Sequence, residues 1–390
     1  MSSGRVRTGL EELLARPKLL RGLRVGLVAN QASVTSDLIH ASLALRAARG
    51  LRLVSLFGPE HGLWAGVQDL VEVGDGRDAA TGLPVHSLYG STRTPTSTML
   101  EGLDALIVDL QDVGSRYYTF IYTMLNVLVA CAGGGVRVVV LDRPNPLGGI
   151  SVEGNLLQAE YRSFVGMHPL PVRHGMTIGE LALLFRDELA LPVELHVVRM
   201  RGWRRAMDFE DTGLPWVSTS PNMPTVDTAY VYPGGCLVEG TNLSEGRGTT
   251  RPFEIVGAPW LDPWKLTRAM ERERLPGVLF RPTYFTPAFQ KHAERLCGGL
   301  QVHVTDRGRF RPFLTYVLLL AHARRQDPAR FAWRDPPYEY ELVKRPIDIL
   351  YGSDRLRAIL EEGGSPRRLS REWTSDAARF RRRRAPYLLY

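Results

Sequence analysis

Cysteine is scarce in this sequence, and its three copies, Cys131, Cys236 and Cys297, lie far apart along 390 residues. An odd number at wide spacing argues against a disulfide framework and against a cysteine-based metal knuckle, and it fits a reducing compartment. The N-terminal stretch also lacks the apolar segment and the small-residue cleavage site of a secretory signal peptide. We therefore expect a cytoplasmic protein, unless an export signal was trimmed from the chain.

Long apolar runs and several well-known motifs are also missing. No segment approaches the roughly 18 apolar residues of a membrane-spanning helix. No Gly-x-Gly-x-x-Gly follows the first predicted strand, and no Gly-Lys-Ser/Thr ends a glycine-rich loop, which disfavours nucleotide cofactors. Gly-x-Ser-x-Gly is absent, which argues against a serine nucleophile. Histidines show no HxH or HExxH spacing. We predict neither a metal nor an organic cofactor.

Positive charge is in excess in this sequence, with a formal net charge of +8. Much of that excess comes from Arg379 and Arg381–Arg384, near the end of the chain, whereas the other arginines are dispersed among acids. Basic residues are not regularly interleaved with aromatic residues, as they are in proteins that bind single-stranded nucleic acid. The pattern favours a solvated surface over a nucleic-acid partner.

The apolar runs that are present alternate with helix-like stretches, which is typical of βαβ units and a parallel sheet. The predicted strands are Leu23–Val28, Leu53–Phe57, Leu83–Gly90, Leu103–Leu110, Val136–Leu141 and Val193–Val198. The predicted helices between them include Asp37–Arg49, Tyr118–Ala130 and Ile178–Leu189. This pattern predicts a Rossmann-like, mostly parallel α/β domain over residues 1–210.

The remaining residues, 211–390, predict a smaller α+β domain. Pro215–Pro259 is rich in Pro, Gly, Ser, Thr and Asn without a sustained period, so we interpret it as a hinge or as a segment that lines a site. Helices are expected at Leu261–Arg274, Phe313–Arg325 and Asp354–Glu362, and strands at Gly277–Phe285 and Leu300–Thr305.

Polar side chains follow four of the predicted strands, and the carboxyl ends of parallel strands are where such sheets bind ligands. We therefore expect these residues to form one site: Asn30, Gln31, Glu60, His61, Gln111, Asp112, Arg116, Tyr117, Asp142, Arg143 and Asn145.

Three of these positions suggest chemistry, and each has a structural alternative. Glu60 directly follows a strand, where partial burial would favour the protonated form that a general acid needs; otherwise it is an exposed loop residue. Asp112 is a second acidic candidate, unless it only pairs with Arg116. Arg143 could bind a carboxylate in bidentate fashion, or it could brace its own loop through Asp142.

A polar, glycine-rich loop at residues 239–250 is a further candidate for the site. Glu239, Asn242, Glu245 and Arg247 lie in it, and such a loop could bind a phosphate, a sugar or a carboxylate. An ordinary solvated loop is the alternative. By contrast, Glu180 follows Thr177 with the spacing of a capping box, which favours a structural role over catalysis.

Several long motifs together resemble one bacterial protein family, which was long described as a domain of unknown function and includes the NamZ-type exo-acting β-N-acetylmuramidases. The motifs are FGPEHG (57–62), DLQDVGSRYYTF (109–120), DRPNPLGG (142–149), VEGNLL (152–157), RHGMTIGEL (173–181), PNMPT (221–225) and EGTNLSEGRGTTRPFE (239–254). The likeness extends from about Val25 to the closing Pro386–Tyr390. Several motifs in the same order are more specific than any single short pattern.

The resemblance implies a glycoside hydrolase that removes N-acetylmuramic acid from the non-reducing end of peptidoglycan fragments, with its site in a cleft between two domains. It implies Glu60 as the general acid with His61 beside it, and a second carboxylate among Asp112, Glu239 and Glu245. A cation for the lactyl carboxylate would come from Arg116, Arg143 or Arg247. The motifs also make His174 and Asn222 candidates for substrate binding, together with Asn30, Gln31, Tyr117, Asn145 and Asn242.

Two other functions stay open from the sequence: a non-catalytic binder of muropeptides, and a metal-dependent hydrolase. The sequence does not determine the oligomeric state, the preferred aglycone or the stereochemical course. The course depends on the separation of the two carboxyl groups, about 5 Å for retention and about 6.5–9.5 Å for inversion.

Overall fold

A computed structural model describes residues 4–64 and 74–390. Its strands are β1 (Arg24–Ala29), β2 (Arg52–Gly58), β3 (Gly76–Arg77), β4 (Pro84–Ser87), β5 (Ala105–Asp109), β6 (Arg137–Leu141), β7 (Leu195–Val198), β8 (Ile255–Ala258), β9 (Val278–Phe285) and β10 (Cys297–Val304). Its α-helices are α1 (Gly9–Ala15), α2 (Ala41–Ala47), α3 (Ser97–Leu100), α4 (Phe120–Cys131), α5 (Ile178–Glu188), α6 (Val226–Gly235), α7 (Pro263–Arg272), α8 (Pro312–Gln326), α9 (Pro346–Tyr351), α10 (Arg355–Glu361) and α11 (Ser370–Arg384).

The larger sheet has the strand order β3-β4-β2-β1-β5-β6-β7. Its strand pairs are parallel except that β3 is antiparallel to β4. In the register of the central strand, Leu27 pairs with Leu56 on one side and with Ile107 on the other. The order reverses between β1 and β5, which is the arrangement of a doubly wound sheet. The predicted Rossmann-like fold is confirmed.

Both faces of this sheet are covered, which explains why its strands are almost uniformly apolar. Successive residues of β5 belong to different hydrophobic clusters: Leu106 and Val108 pack with α4 and α5, whereas Ile107 packs with residues of α1 and α2. Val139 and its neighbours in β6 alternate in the same way. Because each strand is buried on two sides, its carboxyl end is held firmly, and the residues that follow it have fixed positions.

The smaller sheet is antiparallel, in the order β8-β10-β9, and helices α6 and α7 pack against it. This agrees with the predicted α+β character of the C-terminal part. One hydrophobic cluster contains residues from both parts of the chain, for example Leu110 and Leu128 with Leu237 and Leu320. The boundary that we placed between residues 210 and 211 stays a prediction.

Helix α6 lies within Pro215–Pro259, which has no sustained period and was interpreted as a hinge or as a segment that lines a site, so no helix was expected at these residues. Its side chains are buried on nearly every side, and Asp227 is its exposed exception. A helix buried all round has no amphipathic period that a sequence pattern could reveal. It also contains Pro233 and ends in two glycines, which normally indicate a loop.

None of the helices in residues 4–64 and 74–390 is long and apolar enough to cross a membrane. The three cysteines are buried and form no disulfide.

Candidate active site

A pocket lies where the carboxyl ends of β2 and β5 meet the C-terminal part of the chain. It contains about 530 Å³ of empty space, part of it open to solvent. Its lining comes from both parts: Glu60, His61, Tyr117, Tyr118, Thr119, Phe120, Val165, Ser220, Asn222, Met223, Tyr232, Cys236, Glu239, Arg247, Phe253, Tyr338 and Glu339.

Glu60 reaches the pocket because of the sharp turn that ends β2. A side chain at Gly58 would come within 2.8 Å of the backbone nitrogen of Leu63, so glycine is needed for the chain to fold back this closely. His61 and Gly62 then adopt φ values of +69° and +79°, which reverse the chain direction. Glu60 is only 7% exposed. The Thr119 hydroxyl donates a hydrogen bond of 2.5 Å to its Oε2 atom and so fixes the orientation of the carboxyl group.

A second carboxylate, Glu239, lines the pocket from the C-terminal part and has a donor on each oxygen. Arg247 donates to its Oε1 atom at 2.9 Å, and the Tyr338 hydroxyl donates to its Oε2 atom at 2.6 Å. Arg247 also pairs with Glu245 at 3.3 Å, and Lys291 donates to the other oxygen of Glu245 at 2.9 Å. These four charged groups form a buried network, in which each carboxylate is paired with a cation.

Burial keeps the acidic hydroxyl and thiol groups of the lining protonated. It raises the pKa of Tyr118, and it raises the pKa of Tyr338 well above its ordinary value, with a further increase from the charge of Glu239. The Tyr338 hydroxyl therefore remains available as the hydrogen-bond donor to Glu239. Burial also raises the pKa of the Cys236 thiol. A thiol with a raised pKa is a poor nucleophile, so the lining cysteine does not suggest cysteine chemistry.

Glu339, a third carboxylate in the lining, was not predicted from the sequence. It is 7% exposed, and the Tyr89 hydroxyl donates to its Oε2 atom at 3.5 Å. Glu339 lies in a short turn without glycine or asparagine, and it neither follows an apolar run nor belongs to any of the motifs that we recognised. Its positive φ of +46° was not detectable from the sequence.

The lining of this pocket includes residues with a strained backbone. Three of its lining residues other than glycine have positive φ: His61 (+69°), Phe253 (+63°) and Glu339 (+46°). Such conformations are unfavourable for residues with a side chain, and they cluster at functional sites, where the surrounding structure compensates for their cost. The observation marks this pocket, among the described cavities, as the candidate active site.

Six of the predicted site residues meet in the lining: Glu60, His61, Tyr117, Asn222, Glu239 and Arg247. They come from strand ends of the larger sheet and from the C-terminal part of the chain. The Tyr117 hydroxyl donates to the carbonyl oxygen of Pro233 at 3.1 Å, which ties the two parts together beside the pocket.

Other predicted residues lie at the strand ends but outside this lining. Arg143 forms a buried bidentate pair with Asp109, at 2.6 and 2.8 Å. Asn145 donates to the carbonyl oxygen of Met176 at 2.9 Å. Asn30 is fully buried, and its Oδ1 atom accepts from Ser33, whereas the Gln31 side chain donates to the carbonyl oxygen of Ser218.

The remaining candidates bind backbone groups or neighbouring side chains and not the pocket. Asp112 accepts from the backbone N–H of Gly114 at 2.7 Å, and His174 lies 3.5 Å from the same carboxylate oxygen. Asn242 bonds to the carbonyl oxygen of Arg330 and accepts from Ala332. Glu245 belongs to the charged network but not to the lining of the pocket.

Arg116 is buried completely, and its guanidinium binds four carbonyl oxygens. Nη1 donates to Asn155 and Leu170 at 2.7 and 2.8 Å, and Nη2 donates to Leu350 and Tyr351 at 2.9 and 2.8 Å. The last two carbonyls belong to the C-terminal end of α9, where helical carbonyls lack partners within the helix. Arg116 therefore connects the two parts of the chain.

The pocket lacks the features of a metal site. Among residues 4–64 and 74–390, no group of three or more His, Cys, Asp or Glu side chains is arranged so that it could hold a metal ion.

Comparison with known proteins identifies relatives along the whole chain. The models of the N-terminal and C-terminal parts of exo-β-N-acetylmuramidase NamZ match residues 25–227 and 230–390. The peptidoglycan β-N-acetylmuramidase NamZ of Bacillus subtilis is 44% identical over 387 residues, which cover 99% of this chain and 92% of that protein.

Two crystal structures of DUF1343 family proteins from Bacteroides fragilis are also similar, and each match covers 99% of both chains. One has a TM-score of 0.90 at 36% identity, and the other a TM-score of 0.77 at 30% identity. The resemblance seen in the sequence motifs is thus confirmed, and this chain belongs to the exo-β-N-acetylmuramidase NamZ family.

Proposed function

We propose that this protein is an exo-acting β-N-acetylmuramidase that hydrolyses the glycosidic bond of N-acetylmuramic acid at the non-reducing end of peptidoglycan fragments. Family membership and the 44% identity over nearly the whole chain support the activity. The observation that carries the proposal is the pocket itself, which brings Glu60 together with the Glu239–Arg247 pair. A glycosidase of this kind needs one carboxylic acid to protonate the leaving oxygen and a second carboxylate nearby.

Glu60 acts as the general acid in this proposal. Its carboxyl group is buried, faces the pocket and is oriented by Thr119. In the protonated form it donates its proton to the glycosidic oxygen as the bond to the anomeric carbon breaks. His61 lies beside it in the lining and contributes to substrate contact.

Among the three candidates for the second carboxylate, we propose Glu239, because Asp112 and Glu245 lie outside the lining. Arg247 and Tyr338 each donate to one oxygen of Glu239 and so fix the orientation of its carboxylate. A fixed negative charge of this kind stabilises the positive charge that develops on the sugar ring in an oxocarbenium-like transition state.

Arg247 is the proposed cation for the lactyl carboxylate of the substrate. Of the three arginines considered, it lines the pocket, whereas Arg116 binds backbone carbonyls and Arg143 pairs with Asp109. A guanidinium has five N–H donors in a planar fork, so it can contact a ligand carboxylate while it retains contacts to protein carboxylates.

We propose a cytoplasmic location, where the enzyme would process muropeptide fragments. The three buried cysteines, none of which forms a disulfide, support a reducing compartment.

Replacing Glu60 tests the proposal. The Glu60→Gln variant should lose about 10²–10⁴-fold in kcat/KM on a disaccharide with N-acetylmuramic acid at its non-reducing end, because the amide cannot supply a proton. The loss on p-nitrophenyl N-acetyl-β-muraminide should be smaller, since nitrophenolate departs with less protonation. Glu101→Gln, at an exposed glutamate outside the pocket, is the matched control.

The wild-type measurement separates the possible functions. Release of nitrophenol from the muraminide, with little release from the corresponding N-acetylglucosaminide, would support the activity and the recognition of the lactyl group. Saturable binding of the disaccharide without any product would contradict hydrolysis. Near-normal turnover by Glu60→Gln on both substrates would remove Glu60 from the mechanism.

A further inference from the structure

One arginine beside the pocket has no acidic partner. Within residues 4–64 and 74–390, Arg93 forms no ion pair, and its Nε atom is buried without a hydrogen-bond partner. Two other arginines of the region are paired, Arg247 with Glu239 and Arg143 with Asp109. Because a half-buried guanidinium without a partner carries a free-energy cost, the position of Arg93 calls for an explanation.

The Arg93 guanidinium lies at the edge of the pocket, outside its lining. Its Cζ atom is 3.2 Å from the centroid of the Tyr340 ring and 5.5 Å from that of the Phe164 ring. Each of these aromatic residues has a direct neighbour in the lining: Glu339 precedes Tyr340, and Val165 follows Phe164. Since adjacent Cα atoms are only about 3.8 Å apart, the guanidinium borders the pocket.

Aromatic rings and a backbone contact hold Arg93 in this position. The Tyr89 ring packs against both Phe164 and Tyr340, at centroid distances of 5.9 Å, and those two rings are 6.1 Å apart. The carbonyl oxygen of Arg93 accepts a hydrogen bond of 3.1 Å from the Asn126 side chain. The guanidinium is therefore fixed before any ligand arrives, which lowers the entropic cost of binding one.

The N–H groups of Arg93 remain available for a planar anion. A separation of 3.2 Å fits a guanidinium that lies flat on the Tyr340 ring, and such a contact uses its face and not its edge. Nε is buried, whereas the two Nη groups, which also lack a partner within the described chain, are not fully buried. Two neighbouring Nη groups can donate to both oxygens of one carboxylate.

The charges of the pocket give such a cation a purpose. The described lining contains three carboxyl groups, those of Glu60, Glu239 and Glu339, but one guanidinium, that of Arg247. Even when Glu60 is protonated, as the proposed general acid requires, two carboxyl groups face one guanidinium. An anionic substituent that enters this pocket is repelled by the acidic groups unless a further cation lies close to it.

We propose that Arg93 is a specificity-determining residue that binds a carboxylate of the substrate at the edge of the pocket, an assignment that rests on the proposed muramidase function. It acts in addition to Arg247, and its two Nη groups donate to the two carboxylate oxygens. The carboxylate belongs to the lactyl group of N-acetylmuramic acid or, where that group carries a peptide, to the peptide.

Removing the charge of Arg93 tests this role. Arg93→Met keeps a long side chain, and its kcat/KM on p-nitrophenyl N-acetyl-β-muraminide should fall about 10–100-fold, mainly through KM, because charge-assisted hydrogen bonds to the substrate are lost. The same glycoside with its lactyl group converted to the amide should be hydrolysed equally well by variant and wild type. Arg268→Met, at an exposed arginine of α7, is the matched control.

A second pair of substrates identifies the source of the carboxylate. In the first, the lactyl group carries a dipeptide with free carboxylates; in the second, the carboxylates of the dipeptide are amidated. A loss in Arg93→Met on the free lactyl acid supports a contact to the lactyl carboxylate. A loss on the charged dipeptide substrate, without a loss on its amidated form, supports a contact to the peptide.

Two outcomes would overturn the proposal. An equal loss on charged and neutral substrates would mean that Arg93 only supports the rings around it, and wild-type kinetics on all substrates would exclude any contact. If Arg93→Met does not fold, Arg93→Lys decides, because lysine keeps the charge but cannot donate two parallel N–H groups. A partial loss confined to charged substrates supports the contact, and wild-type kinetics refute it.

Failure of the muramidase function gives a different result. In that case the wild type hydrolyses none of these substrates, and calorimetric titration with N-acetylmuramic acid and its lactyl amide tests Arg93 directly. A preference for the acid that disappears in Arg93→Met supports the contact. Equal affinities of the wild type for acid and amide contradict it.

Discussion

Arg247 offers the sharpest test of how the site is held together. Its guanidinium bridges Glu239 and Glu245, and the three side chains are only 10%, 8% and 4% exposed. Replacement by methionine keeps a long, unbranched side chain and removes the charge. Each carboxylate retains one donor, the Tyr338 hydroxyl for Glu239 and the Lys291 ammonium for Glu245.

The expected loss of stability in Arg247→Met follows from the burial of this charged network. Removing one partner of a buried ion pair typically costs about 3–5 kcal/mol, because the other charge is left without its partner. Since each carboxylate retains one donor, we expect Arg247→Met to lower the free energy of unfolding by about 3 kcal/mol, at the low end of that range. Arg247→Met combined with Glu239→Gln removes the uncompensated charge, so the double variant should recover part of the loss, with a coupling of about 1–2 kcal/mol.

Urea unfolding at pH 7 measures these quantities, through the midpoint and the slope of the transition. The single variants and the double variant complete a thermodynamic cycle. Hydrolysis assays on the same proteins should show that Arg247→Met also loses its preference for the muraminide over the glucosaminide. A destabilisation of less than about 1 kcal/mol, or full additivity of the two substitutions, would refute the idea that the pair is a buried and interdependent unit.

Two further variants probe other contacts. Thr119→Val removes the hydroxyl that fixes the orientation of the Glu60 carboxyl group; we expect kcat to fall about tenfold or more while KM changes little, and a wild-type kcat would contradict this positioning role. Burial alone would raise the pKa of Glu188, yet hydrogen bonds from Arg383 and His168 lower it from 4.5 to about 2. The resulting stability is present above pH 4.5 and is lost as the pH falls towards 2, so Glu188→Gln should be less stable than wild type at pH 7 and equal to it near pH 2, as measured by urea unfolding.

The sequence predicted the larger sheet well because its strands are buried on both faces. The run Val136–Leu141 is apolar except for Arg137, and the structure has β6 at Arg137–Leu141, with Arg137 as its least buried residue. Helix ends were less accurate: the first crossover helix was expected at Asp37–Arg49, whereas α2 spans Ala41–Ala47. The start of α2 is hard to predict because its N-cap residue is His40, whose side chain accepts a hydrogen bond from the backbone N–H of Ser42. Histidine is not one of the residues that usually indicate a helix N-terminus.

The candidate site was predictable where it depends on strand ends and unpredictable where it depends on tertiary contacts. Glu60 follows a buried strand and a Gly-Pro turn, so its position could be inferred. Glu339 has no such signal, because its place in the pocket depends on a strained turn and on Arg93, about 250 residues earlier in the chain. Arg143 was expected to bind a substrate carboxylate because it follows a strand end. The structure shows that it is paired instead with the buried carboxylate of Asp109.

The buried guanidinium of Arg116 also bears on how fast a substrate could enter. Its two bonds to the carbonyl oxygens of Leu350 and Tyr351, together with a bond of 2.8 Å from Asn155 to Tyr351, resist any hinge that would separate the two parts. Hydrogen bonds to a charged group contribute about 1.5–3 kcal/mol each, so the two from Arg116 alone amount to about 3–6 kcal/mol. A hinged-open form would then make up about one molecule in 10² to one in 10⁴. We therefore expect a binding step without conformational gating, in which the association rate rises linearly with substrate concentration and does not reach a plateau set by domain opening.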